Sequence, residues 1–314
     1  MPLTAMDTLR YVTTAAAPRH GGVVSPSSDS GFTLRPPASG DAGPVARIIF
    51  EGFAAIAIQH RFPPDFPAVE AAAELATYLL SAADIHGVIA TRDGGVIGSN
   101  FLWEGDPIGG IGPITVDPGQ QNAGVGRALM EAVLERVAQQ QMPGVRLVQA
   151  AYHGRSLALY TSLGFDAREP LSVLQGPVPQ RKRDTEHTRR GSTADTQACN
   201  ALATRLLGHP RGSELDDAIA RGQARVVERG GKIVGYSTGI GFFGHAVGET
   251  NDDIKTLIAT ADAIAGPGLL LPTRNAELLR WCLREGLRIV QPMTLMTRGA
   301  YRDPAGAYLP SILY

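Results

Sequence analysis

At 314 residues the chain has room for two domains of ordinary size, and 44% apolar residues suffice for two packed cores. Its 29 basic and 30 acidic residues nearly cancel, so no overall field draws in nucleic acid or an anionic membrane, and neither is expected as a partner. Two cysteines, Cys199 and Cys282, exclude a disulfide scaffold and a zinc ribbon, so no metal is expected, while three lysines, Lys182, Lys232 and Lys255, exclude a phosphate loop ending in Gly-Lys-Ser/Thr.

Along the chain, residues 1–30 are rich in Ser, Pro, Gly and Ala without periodicity and read as a mobile lead-in, with no export signal. Asp41 and Pro44 open a helical pattern through Ile48, Ile49, Phe53 and Ile56; the break FPPDFP follows, then a second helix from Val69 to Leu80. His86–Thr91, the turn Arg92-Asp93-Gly94-Gly95 and Val96–Trp103 form an antiparallel hairpin, and Gly110–Val116 a third strand. Asp117-Pro118 ends that strand. The segment QNAGVGR then leads into a helix with Leu129, Met130, Val133, Leu134 and Val137 at helical spacing. Val145–Ala151 is a strand, Ser156–Leu163 a short helix closed by Gly164, and Phe165–Leu174 a last strand.

From about 175 to 196 the chain is polar and charge-dense, and the cluster Arg181, Lys182, Arg183, Arg189, Arg190 reads as a solvated linker. Beyond it the pattern repeats. His153, Tyr160, Gly164-Phe165 and Pro170 have the spacing of Asn275, Cys282, Gly286-Leu287 and Pro292, a constant 122 positions on. Upstream, TRDGGVIG matches ERGGKIVG 137 positions on, which puts the same hairpin in both halves. The second copy is shorter where the first has its glycine loop, since Val116 to His153 is 37 residues and Val247 to Asn275 is 28.

In Gln121-Asn122-Ala123-Gly124-Val125-Gly126-Arg127, two residues without Cβ stand just ahead of an amphipathic helix. The first-turn amides and the positive end of the helix dipole there favour a phosphate or pyrophosphate. A tight turn that needs glycine for geometry alone is the other reading of the same residues. A dinucleotide fingerprint would want a third glycine where Leu129 stands.

The combination IGPITVDPGQQNAGVGRALM followed by SLALYTSLGF resembles the GNAT acyltransferase superfamily, with its Gln/Arg-x-x-Gly-x-Gly/Ala loop and its Leu-Tyr-x-x-x-Gly-Phe segment. The resemblance covers Phe32 to Leu174 and, through the repeat, a more degenerate second half. It implies an α/β (α+β) fold of two GNAT-like units, each a mixed, mostly antiparallel twisted sheet flanked by helices. The expected organisation is a CoA-binding domain over 31–178, a linker over 179–196 and a degenerate domain over 197–314.

Carried over by position, main-chain groups of Ile114, Thr115 and Val116 would pair with the pantetheine arm. Gln121 and the amides of Asn122, Gly124, Val125, Gly126 and Arg127 would cradle the pyrophosphate. Tyr160 falls on the family's proton donor to the departing thiolate, although its position between Leu157 and Leu163 also suits a core aromatic. His153 and Ser156 replace the family's usual Asn and Ala, with Arg155 and Ser156 as candidate contacts to the cofactor. Glu104, at a strand end, is the candidate water-linked base, or a solvated hairpin carboxylate; Asp117 reads as a cap and His60 as a surface or packed residue. No cysteine lies in the first half, so direct transfer in a ternary complex is expected.

The implied activity is acetyl-CoA-dependent N-acetylation of a small-molecule amine by a cytoplasmic monomer. The alternatives are a CoA-binding regulatory or scaffold protein without transfer, and an acyltransferase that uses a larger acyl group or an alcohol acceptor. In the second half Cys282 replaces the tyrosine, FFGHAVGETND stands where the cofactor strand would be, and the apolar terminus GAYLPSILY is expected to pack against the body.

Overall fold

The computed structural model describes residues 31–179 and 187–313; the expected lead-in over 1–30 and the linker cations Arg181, Lys182 and Arg183 lie outside the described residues. The chain divides into two compact units, one running to Gly105 and taking in Gly109–Val145, the other made of Asp106–Ile108 and Arg146–Tyr314.

The first unit opens with β1 (Thr33–Arg35), an edge strand too short to show alternation in the sequence, which pairs with β2 (Ile85–Arg92). Between them lie α1 (Ala42–His60) and α2 (Val69–Ser81), which pack on each other. Val45, Ala46, Ile48 and Ile49 are buried on α1, and Ala72, Leu75, Ala76 and Leu79 on α2, the spacing that brings one helical face to a core. Among the described residues α1 is the one helix long and apolar enough to cross a bilayer; here it lies against α2 and the sheet. β2 and β3 (Gly95–Trp103) pair from Ile85↔Trp103 to Arg92↔Gly95. Asp93 and Gly94, both at positive φ, make the tight turn between them.

The expected third strand is two pieces, β4 (Ile108–Ile111) and β5 (Thr115–Val116), both paired with β3. The ladder breaks because Gly112 stands at φ +135 and Pro113, after a cis peptide bond, has no amide to donate. A short 3-10 turn over Pro118–Gln120 then leads to α3 (Val125–Gln139), which buries Leu129, Met130, Val133 and Val137.

The second unit holds β6 (Gly144–Ala150) from Arg146 onward, α4 (Gly154–Ser162), β7 (Asp166–Gln175), β8 (Thr188–Arg190), α5 (Thr196–Leu207) and α6 (Gly212–Ala220). They are followed by β9 (Arg225–Arg229), β10 (Lys232–Ser237), β11 (Ala246–Gly248), α7 (Asn251–Ala259), β12 (Leu269–Pro272), α8 (Ala276–Arg284), β13 (Arg288–Gly299) and β14 (Ala307–Leu309). One strand sequence in this unit runs β6-β13-β7-β12, the other β14-β11-β10-β9-β8.

The insertion of β13 between β6 and β7 was not legible in the sequence. The last strands of the two repeats are equivalent at a separation of 122, and they pair antiparallel with each other. Ser172↔Pro292 and Pro170↔Thr294 exchange under that separation, so Leu171↔Met293 marks a pseudo-twofold axis through the pair. Even the irregularities obey it. Arg168 and Val290, 122 positions apart, are the residues skipped in the two register shifts. Equivalent strands bury equivalent faces, and here Leu171, Val173, Met293 and Leu295 share one core cluster.

Part of the stretch read as a linker forms a strand: β8 is an edge strand against β9, with Thr188↔Val227 to Arg190↔Arg225. Arg189, although exposed, is tied into the fold: its Nη1 and Nη2 donate to both oxygens of Asp195 at 2.7 and 2.8 Å, and Ser192 N donates to the same carboxylate at 2.8 Å. The first unit has the same device, with Arg35 on Asp41 at 2.7 Å twice and Ala38 N at 2.7 Å. Arg-x5-Asp ahead of a helix is therefore a third mark of the repeat, 154 positions apart.

Candidate active site

In the first unit the candidate site is built around the strand break. Gly112 N donates to Phe101 O and Trp103 Nε1 to Gly112 O, each at 2.9 Å, which fixes the chain where β4 stops. β5 then resumes as Ser99↔Thr115 and Gly98↔Val116. A Cβ on Gly98 would stand 2.8 Å from Thr115 O, so only glycine admits this approach. Among the described residues β3 is the one strand paired with β5, which leaves the other edge of β5 without a strand.

Asp117 closes the strand as the expected cap: its N donates to Ile97 O, Oδ1 accepts from Gly119 N at 2.9 Å, and Oδ2 accepts from Arg47 at 3.2 Å. Arg92 Nη1 donates to Gln120 Oε1, and Gln121 Nε2 to Val116 O at 3.4 Å. Asn122 and Gly124 are both left-handed, at φ +65 and +81, and the first intrahelical bond of α3 is Ala128 N to Gly124 O. The amides of Val125 and Gly126 therefore precede any acceptor within the helix and point out of its N-terminus. Val125 is buried and anchors the turn, whereas Asn122, Ala123 and Gly124 are exposed; Arg127 pairs with Glu131 at 3.6 Å. No acidic residue stands in the first turn of α3, so the positive end of its dipole is not offset there. A Cβ on Gly124 would meet nothing within 4 Å, so its left-handed backbone, not crowding, is what calls for glycine.

Glu104 is not an isolated hairpin carboxylate. Arg136 on α3 grips it with Nε at 2.9 Å and Nη2 at 2.6 Å. Sequence reasoning passed over His86. Glu104 N donates to Asp84 O and His86 pairs with Leu102, so His86 and Glu104 lie diagonally on one face of the hairpin. Burial, then the Arg136 charge, pushes the His86 imidazole below its ordinary value and keeps it neutral near pH 7.

In the second unit Tyr160 lies on α4, 6% exposed, edge-on to Phe165 at 6.2 Å. Burial raises its phenol further above neutral pH, so the hydroxyl stays a proton donor. Arg155 is exposed. Ser156 Oγ lies 2.8 Å from both Gln149 Oε1 and His153 O. Gln149, 5% exposed, thereby has its amide oriented, and its Nε2 has no acceptor among the described residues. The serine standing in place of the family's alanine was the only hint of it in the sequence. Among the described residues no group of three or more His, Cys, Asp or Glu side chains could hold a metal ion.

The model of the acetyltransferase (GNAT) family matches residues 55–165. A mycothiol acetyltransferase of Thermomonospora curvata is 36% identical over 94 residues, 29% of this chain and 31% of that protein. One of Thermobifida fusca is 33% identical over 81 residues, 26% of this chain and 25% of that protein. The chain thus matches about a third or less of the length of these curated relatives. Among solved structures, a Pyrococcus horikoshii protein described as an acetyltransferase superposes with a TM-score of 0.71 at 14% identity, covering 92% of this chain and 97% of that one. The GCN5-related N-acetyltransferase of Sphaerobacter thermophilus gives 0.58 at 15% identity, covering 90% and 100%. Those two likenesses show that the fold is shared along nearly the whole chain, and the family match takes in β5, the glycine loop and Tyr160: residues 55–165 form a domain of the acetyltransferase (GNAT) family.

Proposed function

We propose that this chain is an acetyl-CoA-dependent N-acetyltransferase that binds one CoA per chain in its first half, over 31–178, and transfers the acetyl group directly to a small-molecule amine. The observation that carries this reading is the end of β5. A strand with an open edge runs into two left-handed residues and a helix start with no acid in its first turn. Extended amide chains pair with such an edge, and pyrophosphates bind at such a helix start.

In this mechanism the main chain of Ile114, Thr115 and Val116 orients the pantetheine arm, with the Val116 amide donating to the thioester oxygen. Gln121 and the amides of Asn122, Gly124, Val125, Gly126 and Arg127 bind the pyrophosphate, and Arg155 and Ser156 hold the arm beyond. The amine attacks the acetyl carbon; as the C–N bond forms and the C–S bond breaks, the amine proton passes through water to a base and Tyr160 protonates the sulfur. Glu104 is that base in this reading. Arg136 uses one lone pair on each of its oxygens, which leaves others for a water.

The second half, over 197–314, does not bind CoA in this way. α7 follows β11 with no glycine loop, and its start is sealed by Thr250 and Asp253, whose capping box takes amides that a pyrophosphate would need. Neither Cys199 nor Cys282 forms a disulfide, as suits the cytoplasm. A monomer is proposed, and sedimentation as a dimer would refute it.

The test is a calorimetric titration with acetyl-CoA and CoA beside a thiol-release assay over an amine panel, in which the relatives named for mycothiol put mycothiol-related amines first. One site per chain with thiol release supports the reading. Binding without release across the panel favours a CoA-binding regulatory protein, for which the Arg136 grip on Glu104 is the supporting observation. No binding removes both.

A further inference from the structure

The same register argument that locates the cofactor strand in the first half locates its counterpart in the second. Gly98 and Gly235 are one position of the repeated hairpin, 137 residues apart. Gly98 faces Val116 and Ser99 faces Thr115; Gly235 faces Gly248 and Tyr236 faces Val247. Val116 and Gly248 are therefore equivalent, as are Thr115 and Val247, and by extension Ile114 and Ala246. The two differ in what lies on the outer edge. In the first half that edge carries no strand among the described residues, whereas in the second it is taken by the C-terminal strand β14, with Ala246↔Leu309, Val247↔Tyr308 and Gly248↔Ala307.

We propose that β14 is a built-in ligand: in the second repeat it occupies the slot that a pantetheine arm takes in the first, so the chain closes its own second cleft. This rests on the reading that 114–116 bind pantetheine. Like pantetheine, β14 enters as an extended amide-bearing chain held by main-chain hydrogen bonds. Its other side faces β12, and Ala307 and Leu309 are buried with Leu269 and Leu271 in one core cluster. Two buried polar anchors hold it. Tyr308 OH donates to Glu169 Oε2 at 3.3 Å, a carboxylate also gripped by Arg274 at 2.7 Å. Beyond the strand, Ser311 accepts from Arg211 Nη2 at 3.1 Å and donates to Glu214 at 3.3 Å. With the tail gone, the slot would take the phosphate-free arm and not whole CoA, because the Thr250–Asp253 capping box already takes amides at the adjoining helix start.

The experiment keeps the chain whole until it has folded. A recognition site for a specific protease is inserted after exposed Asp303, the purified protein is cut there, and retention of the C-terminal peptide is followed by gel filtration and mass spectrometry. Pantetheine should displace the peptide with a saturable dependence, and for simple competition a concentration of about ten times its Kd weakens retention about tenfold. Mercaptoethanol, a thiol without amides, should leave the peptide in place. Retention unchanged by pantetheine, or release by both thiols alike, overturns the proposal. Calorimetry with CoA on the uncut chain separates the two readings. CoA binding without pantetheine-driven release sinks only the built-in ligand, whereas no CoA binding sinks the first-half site whatever the tail does.

Discussion

Replacing Gly124 separates a phosphate cradle from a mere turn. At φ +81 a residue with a Cβ bears a cost of about 1–2 kcal/mol, and because a Cβ at this position meets nothing within 4 Å, no packing cost is added. Gly124→Ala should therefore lower unfolding stability by about 1 kcal/mol, and Gly124→Asn by less, since asparagine tolerates the left-handed region. If the turn were all that mattered, the folded variants would bind CoA as the parent does. If the loop amides hold a pyrophosphate, a side chain set among them removes one or two charge-assisted hydrogen bonds, about 2 kcal/mol or roughly thirtyfold in Kd. Calorimetry at a temperature where both variants are folded should show that loss for CoA and none for pantetheine, which lacks the pyrophosphate. CoA affinity within twofold of the parent in Gly124→Asn, or equal losses for CoA and pantetheine, would refute the cradle.

Tyr160→Phe should lower kcat about a hundredfold while moving Tm little, because the hydroxyl has no hydrogen-bond partner among the described residues; unchanged turnover would leave Tyr160 a core aromatic. His245 is fully buried, its Nδ1 2.6 Å from Glu214 and its Nε2 3.1 Å from Tyr236 OH, and burial, then the Arg211 charge, lowers it to about 4. An imidazole held neutral in the fold but protonated at about 6.5 when unfolded leaves stability intact above pH 6.5 and erodes it as pH falls toward about 4. Urea midpoints at pH 7.5 and 5 should therefore differ more for the parent than for His245→Gln; equal differences would refute the assignment. Asp41→Ala and Asp195→Ala each remove a half-exposed ion pair and leave a backbone amide without its acceptor in matched geometry, so each should cost about 1–3 kcal/mol in denaturant unfolding. Costs that differ by more than about 2 kcal/mol would break the equivalence of the two devices.

The sequence by itself determined the elements whose physics is local: helices α1 to α3 from apolar spacing, the β2–β3 hairpin from Asp93-Gly94, the glycine loop from the break in patterning after Val116, and the duplication from constant spacings. It also supplied the family, because the loop and the Leu-Tyr segment are short contiguous motifs. It did not give the partners those pieces choose. Whether Glu104 is met by Arg136, thirty-two residues on, or whether Ser156 turns toward Gln149 depends on which faces pack, and alternation within one strand carries no such information. Only the tertiary structure decided that β13 lies between β6 and β7, and that β14 lines the edge of β11. The reason is that a strand's hydrogen-bonding edges are the same whatever its sequence: periodicity says which face is buried, but neighbours along the edge are set by which strands the whole chain can bring there.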